Sequence, residues 1–432
     1  MSATTLCLLN ARLAGSQTTR TLWIRNGRFV QQEESDSNNN DDDGDDANST
    51  NTTWTTLDLG GKLVWPGLIE THLHLDKAGI LPYCCLVQGT LDEAIQQTSA
   101  AKAKHFNVDE IYDRAARVVQ KAVKQGTTHI RTHVEVDPVI GLVGLQALER
   151  IRHDYAWALT MEICVFPQEG MLNRPGTQQL LEQALAQGRA DVLGGCPYTD
   201  SSPHEQIARL FAMAVHYNVD LDFHLDFNLN PDKMDLSQVC RQTMRHQWQG
   251  RVTVGHVTAL SMLAPDAWHA AAQTCANSGV AVTVLPSTDL FLAGRGEYTH
   301  AKPRGVTPLW ELHQKYGITC SLATNNVSNP FTPYGDASLV RQANLYANIT
   351  QLATKDELTQ CLRWVSTDAA RLLRLDHYGL EPGCWADFCV FNVPSPDAVI
   401  AEIASPVMSF KRGRQVMERP ETKLLWPLSS SS

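Results

Sequence analysis

Apolar and polar positions alternate in short runs at both ends of the chain and in longer runs through its middle. TLCLLNARL, TLWIRNGRFVQ and TTLDLGGKLVWPG, near the start, have the alternation and glycine turns of short strands. WADFCVFNV, VIAEIAS and VMSFKRGRQVM, near the end, read the same way. Two β-rich ends around a long middle predict one small β domain built from both termini. In the middle, eight apolar strand candidates alternate with helical patterns. The strands are KLVWPGLIETHLHL, THIRTHVEV, ALTMEICVFPQ, ADVLGGCPY, VDLDFHLD, RVTVGHVT, GVAVTVLPS and GITCSLATNN. The helices include DEIYDRAARVVQKAVKQG, PHEQIARLFAMAVHYN, LSQVCRQTMRHQW and VTPLWELHQKYG. Eight β-then-α units in one run predict a (β/α)8 barrel, an α/β fold. A doubly wound open sheet is the competitor, but neither GxGxxG nor GxxxxGK[ST] follows the first strand.

Residues 31–53, QQEESDSNNNDDDGDDANSTNTT, break this pattern. They are acidic and almost free of apolar side chains, so burial cannot offset their ordering entropy, and a disordered loop insertion is predicted. Eight of the chain's formal net charge of −10 come from this segment. The remainder is a near-neutral globule, which gives no reason to expect nucleic acid or an anionic membrane as partner. At 432 residues, 43% hydrophobic and 19% charged, the chain can bury a large core. No stretch approaches about 18 uninterrupted apolar residues, so no membrane span is expected. The N-terminal residues lack a basic segment followed by a long apolar one, so no secretory signal is read. Eleven cysteines without a CxxC pair are expected to be free thiols in a reducing, cytoplasmic setting.

Barrel chemistry sits at the C-terminal ends of the strands, and the polar residues collect there. His72 and His74 end the first strand, and Arg131, His133 and Glu135 the second. Gln168 follows the third, and Tyr198 and Asp200 follow the fourth. Asp222, His224 and Asp226 end the fifth, His256 the sixth, and Asn325 with Asn326 the eighth. His72 and His74 are spaced i, i+2, which on a strand puts both imidazoles on one face. Two nitrogens on one face can chelate an ion, and His224 and His256 stand at equivalent heights on later strands. Neutral imidazole suits zinc, iron or nickel.

GKLVWPGLIETHLHLDKA closely resembles the first-strand signature of the amidohydrolase superfamily, PG-x-I-x-x-H-x-H. RTHVEVDP, CVFPQEG, DFHLDF, VTVGHVT and ATNNVSNPFTPYGD resemble its cytosine deaminase group and relatives acting on s-triazine N-alkyl amines. YGLEPGCWADFCVFN looks like the return into that superfamily's small β-sandwich. The resemblance implies a barrel over residues 67–375, a β-sandwich from residues 1–66 and 376–432, and one divalent metal, zinc or iron. It makes His72, His74 and His224 metal ligands, with Asn325 at the position of a fourth. It gives His256 the handling of the activated water or substrate, and Gln168 the reading of a ring edge. His133 and Asn326 are further candidates for substrate contact. No lysine stands at the third or fourth strand end, so a mononuclear site is expected. Barrels of this group often form oligomers.

Two positions depart from the resembled pattern. The deaminases carry HxDE at the fifth strand, where this chain reads His224, Leu225, Asp226, Phe227. The eighth-strand aspartate is Asn325. An amide can offer a neutral carbonyl ligand but accepts no proton, and with less ligand charge the ion acidifies water further. General acid–base help is worth about 10²–10⁴ in rate, so another group must supply it. His256 is the first candidate, with Asp226 and His133 behind it. Asp226 could instead orient a histidine ligand. Cytosine itself is not expected as substrate, because the proton-shuttling glutamate is absent. The expected reaction is hydrolysis of a non-peptide C–N bond in a small, flat, nitrogen-rich ring, amidine or amide. The alternative is a barrel that has lost two carboxylates and binds a ligand without turnover. No PCxxC supports a nucleobase deaminase of the other zinc fold, and no GxSxG elbow a serine hydrolase.

Overall fold

The computed structural model describes residues 5–16, 18–31, 54–295, 300 and 302–425. The acidic segment from 32 to 53 lies outside the described residues, between the third and fourth strands. Sixteen strands are named, in chain order, β1 to β16. Eight of them form a parallel sheet in sequence order: β6 (Leu68–Leu73), β7 (Thr127–Glu135), β8 (Thr160–Phe166), β9 (Val192–Gly195), β10 (Asp220–Leu225), β11 (Val252–His256), β12 (Ala281–Val284) and β13 (Cys320–Leu322). These are the eight apolar runs of the sequence, with helices in the intervals, and together they make a nearly closed (β/α)8 barrel. The helix Val108–Lys124 shows why the intervals are helical. Asn107 caps it by accepting from Glu110 N at 3.1 Å, and Ile111, Ala115, Val118, Val119 and Ala122 form its buried stripe.

The last strand meets the first through only a few bonds. The His74 amide donates to Asn325 O and the Asn325 amide to His72 O, both at 2.8 Å. One turn deeper, the buried Glu70 side chain accepts from Thr324 N at 3.0 Å and from His72 N at 3.3 Å. Burial pushes the Glu70 carboxyl up to about 7. The seam is thus tied by the residues that flank the histidine pair.

The remaining strands come from both ends of the chain: β1 (Thr5–Arg12), β2 (Thr19–Arg25), β3 (Arg28–Val30), β4 (Thr55–Asp58), β5 (Leu63–Pro66), β14 (Phe388–Phe391), β15 (Met408–Lys411) and β16 (Arg414–Glu418). They join into one mixed sheet in the order β16-β15-β14-β5-β1-β2-β3, with β4 also paired to β1. Its own core includes Leu8, Ile24, Phe29, Val64, Phe388 and Phe410. Two local expectations fail. VIAEIAS is not a strand: Val399 and Ile400 lie in the helix Pro396–Ala401, which starts on a proline and buries Ala398, Val399 and Ile400. Three consecutive apolar residues fit one buried helical face better than the two sides of a strand. The run KLVWPGLIETHLHL is two strands, β5 in the mixed sheet and β6 in the barrel, divided at Gly67.

Gly67 is the hinge between the two bodies. Its amide donates to Asp387 O at 2.9 Å and its carbonyl accepts from Tyr378 Oη at 2.6 Å. A Cβ there would stand 2.4 Å from both Cγ2 and Oγ1 of Thr128. Thr128 is β-branched and buried, so it cannot swing away. Gly67→Ala is expected to destabilise the protein by about 1–3 kcal/mol, read as a lower denaturation midpoint. Thr128→Ala should recover part of the loss in the double variant. Equal stability of Gly67→Ala and the parent would show that this contact is not tight.

Candidate active site

β6 carries His72, and His74 follows it by one residue beyond the strand end. β10 carries His224 and β11 ends on His256. All four side chains are buried. His224 Nε2 lies 3.0 Å from His72 Nε2 and 2.9 Å from His74 Nε2. A neutral imidazole has a single N–H, so three ring nitrogens converging in this way cannot all be satisfied by one another. The Nδ1 atoms of the same three rings have no hydrogen-bond partner among the described residues. Convergent lone pairs of this kind fit one shared cation. Burial first, and the charge of neighbouring groups second, hold all three imidazoles well below their ordinary pKa. They are therefore neutral and able to ligate at physiological pH. A fourth ring, His133, stacks on His72 with centroids 3.7 Å apart. One nitrogen from each of His72, His133 and His224 lies within 4.8 Å of the others, a buried cluster able to hold a divalent ion.

Asn325 follows β13 with φ at 63°. Its buried Oδ1 has no partner among the described residues, while its Nδ2 is 3.5 Å from His256 Nε2. A buried carbonyl oxygen left without a donor is unusual, and it belongs to the residue at the expected fourth ligand position. Behind the rings, Asp222 accepts from Arg131 at 3.1 Å through Oδ2. Its Oδ1 stands 3.5 Å from His133 Nε2 and 3.8 Å from His72 Nδ1. Arg131 also pairs with Glu162 at 2.9 Å. The floor of the site is thus an ion-paired carboxylate under two imidazoles.

In front of the rings is a small, partly open cavity. Its wall includes His74, His224, His256, Asn325, Asn326 and Gln168, together with Lys77, Tyr198, Phe227 and Phe331. His256 Nδ1 is 2.6 Å from Asp289 Oδ1, in the short helix Pro286–Leu292 that follows β12. A carboxylate at this position accepts a hydrogen bond from Nδ1–H, which fixes the ring proton on Nδ1 and leaves Nε2 as an acceptor. The Phe227 ring packs against His256 at 4.4 Å between centroids. Opposite, Lys77 Nζ donates to Gln168 Oε1 at 3.0 Å and pairs with Glu135.

A model of the amidohydrolase family matches residues 85–417. The chain belongs to the amidohydrolase family. It is similar to N-isopropylammelide isopropyl amidohydrolase of Pseudomonas sp. (strain ADP), with 25% identity over 382 residues, 86% of this chain and 90% of that protein. The crystal structure of 5-methylcytosine deaminase from Klebsiella pneumoniae liganded with 5-fluorocytosine superposes with a TM-score of 0.87. It is 26% identical, and the match covers 98% of this chain and 99% of that one. N-isopropylammelide isopropylaminohydrolase from Burkholderia multivorans gives a TM-score of 0.80 at 26% identity, covering 96% and 98%.

Within this amidohydrolase barrel, three of the expected site residues, His72, His133 and Asp226, do not line the cavity. His133 lies beneath His72 and does not line it. Asp226 points away: its carboxylate accepts from Asp235 N at 2.7 Å and Leu236 N at 3.2 Å, at the start of the helix Leu236–His246. Strand parity puts Asp226 beside His224 only if the backbone stays extended, and it does not. β10 ends at Leu225 and Asp226 has φ at 50°. Asp289 was missed in the sequence. It sits in VLPSTDLFL, after a strand whose end looks apolar, and its partner is 33 residues away. The one available signal was an aspartate just past a strand's C-terminal end. Lys77 is held by Glu135 and Gln168.

His133 offers a pH test. Burial, the largest cause, lowers its pKa in the folded protein. The unfolded chain then takes up protons below the ordinary histidine pKa of about 6.5 that the folded one refuses, so His133 removes stability as pH falls below that value. In chelator-treated protein, the melting temperature of His133→Gln relative to the parent is expected to rise as pH is lowered from 7 to 5.5. A difference that stays constant across that range would contradict the assignment.

Proposed function

We propose that this amidohydrolase cleaves an exocyclic C–N bond of a small, flat, nitrogen-rich ring, using one divalent ion, zinc or iron. The observation that carries the proposal is the convergence of three buried imidazole nitrogens beside a cavity whose wall also holds His256, the partner of Asp289. His72, His74 and His224 would hold the ion, with Asn325 Oδ1 as a neutral fourth ligand. When bound, the ion supplies a Lewis acid that acidifies water and polarises the group under attack.

The chain's own groups do the rest. Lys77 and Gln168, joined at 3.0 Å, present fixed donors to the acceptor edge of a ring. Phe227 and Phe331 give that ring apolar walls. His256 takes a proton from water at Nε2 and returns it to the departing amine, while Asp289 holds Nδ1 and steadies the imidazolium. This replaces the carboxylate that the Phe227 and Asn325 positions lack. The same two positions favour the second reading, a barrel that binds without turnover. The named relatives support the ring class: one is a 5-methylcytosine deaminase and two are N-isopropylammelide hydrolases.

Metal-replete protein is expected to turn over at least one of isoguanine, creatinine (at its exocyclic nitrogen) or N-alkyl triazines faster than cytosine. His256→Ala should lower kcat on that compound by about 10²–10⁴, and Asp289→Asn by less. Protein that stays inert to all of them while loaded with metal would favour the binding reading. Turnover unchanged in His256→Ala would remove His256 from the proton path.

A further inference from the structure

The ring cavity adjoins two larger open grooves, and one side chain belongs to all three. Leu91 lines the small cavity at the rings, a larger open groove beyond Phe227, and a still larger one beyond Gln168 and Tyr198. Resting on the functional reading above, we propose that Leu91 is the partition that limits substrate size, confining the native substrate to a ring whose exocyclic nitrogen carries no bulky substituent.

The partition is firmly placed. Leu91 opens the helix Leu91–His105, capped by Thr90, whose Oγ1 accepts from Glu93 N at 3.2 Å. The Glu93 carboxylate turns back to accept from the amides of Val87 at 2.7 Å and Gln88 at 3.0 Å. At the other end the buried Lys102 pairs with Asp137, with Glu135 at 3.1 Å and with Glu169 at 2.9 Å. These carboxylates come from the ends of β7 and β8, so the helix is anchored to the barrel rim. Its first residue is a fixed wall between the ring cavity and the two open grooves.

The packing around Leu91 is separate from the main core. It joins Ala94, Phe227, Leu292 and Phe331 in a small apolar cluster at the barrel mouth, with Tyr198 against it. Truncation at a half-buried position in such a satellite opens space with little demand on the rest of the fold. The groove beyond Gln168 has a mixed wall, with Ile95 and Tyr198 beside Gln96, Ser99, Glu169 and Arg174. Shortening Leu91 therefore joins the ring cavity to a larger open groove that can take a substituent. In the reaction, water adds its hydroxyl to the ring carbon and its proton to the leaving amine. The substituent leaves with that amine, so its size bears on access and not on the bond that breaks.

Two substrate series test this, ammelide with its N-methyl and N-isopropyl derivatives, and cytosine with its N4-methyl and N4-isopropyl derivatives. Each is measured for turnover and for binding by calorimetry with metal-loaded protein. In the parent, affinity or kcat/KM is expected to fall at least tenfold from the free amine to the isopropyl derivative. Leu91→Ala should narrow that ratio at least tenfold, and Leu91→Phe should steepen it at the N-methyl step. Ratios unchanged in both variants, or a parent that prefers the isopropyl derivative, would overturn the inference and leave the hydrolase reading intact. Failure of parent and variants to bind or convert any member also overturns it. The hydrolase reading itself falls only if the broader panel is inert as well.

Discussion

Two amide hydrogen bonds at 2.8 Å close the barrel seam, from His74 to Asn325 and from Asn325 to His72, and the site depends on them. They fix the spacing of the first and last strands at the height where the proposed ligand residues emerge. The main chain that seals the barrel is the main chain that carries His72, His74 and Asn325. Any loosening of the seam spreads the imidazoles, and any change at those residues loosens the seam. Glu70 and Thr324 brace the joint one turn lower.

Charge is handled by pairing throughout this region. Lys77 and Lys102 are buried, and each faces Glu135. Arg131 faces Asp222 and Glu162. Buried ions in such sets contribute little net stability, but removal of one partner leaves an uncompensated charge at a penalty of several kcal/mol. Their effect is to fix positions: Gln168 is oriented through Lys77, and the helix that starts at Leu91 is tethered through Lys102. The imidazoles escape this arithmetic by remaining neutral, which is also what ligation requires.

Much of this was legible in the sequence, and the exceptions have physical causes. The eight barrel strands showed because each is an apolar run, the pattern that burial in a parallel sheet imposes, and all but the seventh are followed by polar residues. The i, i+2 histidines showed because strand parity is a local property. Gly67 was hidden because β5 and β6 read as one apolar run, and only a close contact with Thr128, distant in sequence, reveals the break. Asp226 misled because parity ends where the backbone turns to positive φ. The Asp289–His256 pair was invisible because it is a tertiary contact between the ends of neighbouring strands. Leu91, one apolar residue among many, acquires meaning only from the spaces it separates.

The most direct test of the account is the X-ray absorption spectrum of the metal-loaded protein at the edge of its bound ion. The account calls for one ion per chain with three imidazole nitrogens at about 2.0–2.1 Å and any remaining ligands oxygen, and for collapse of that signature in His224→Ala. A loaded ion surrounded only by oxygen or sulfur, or a spectrum indifferent to His224, would contradict it.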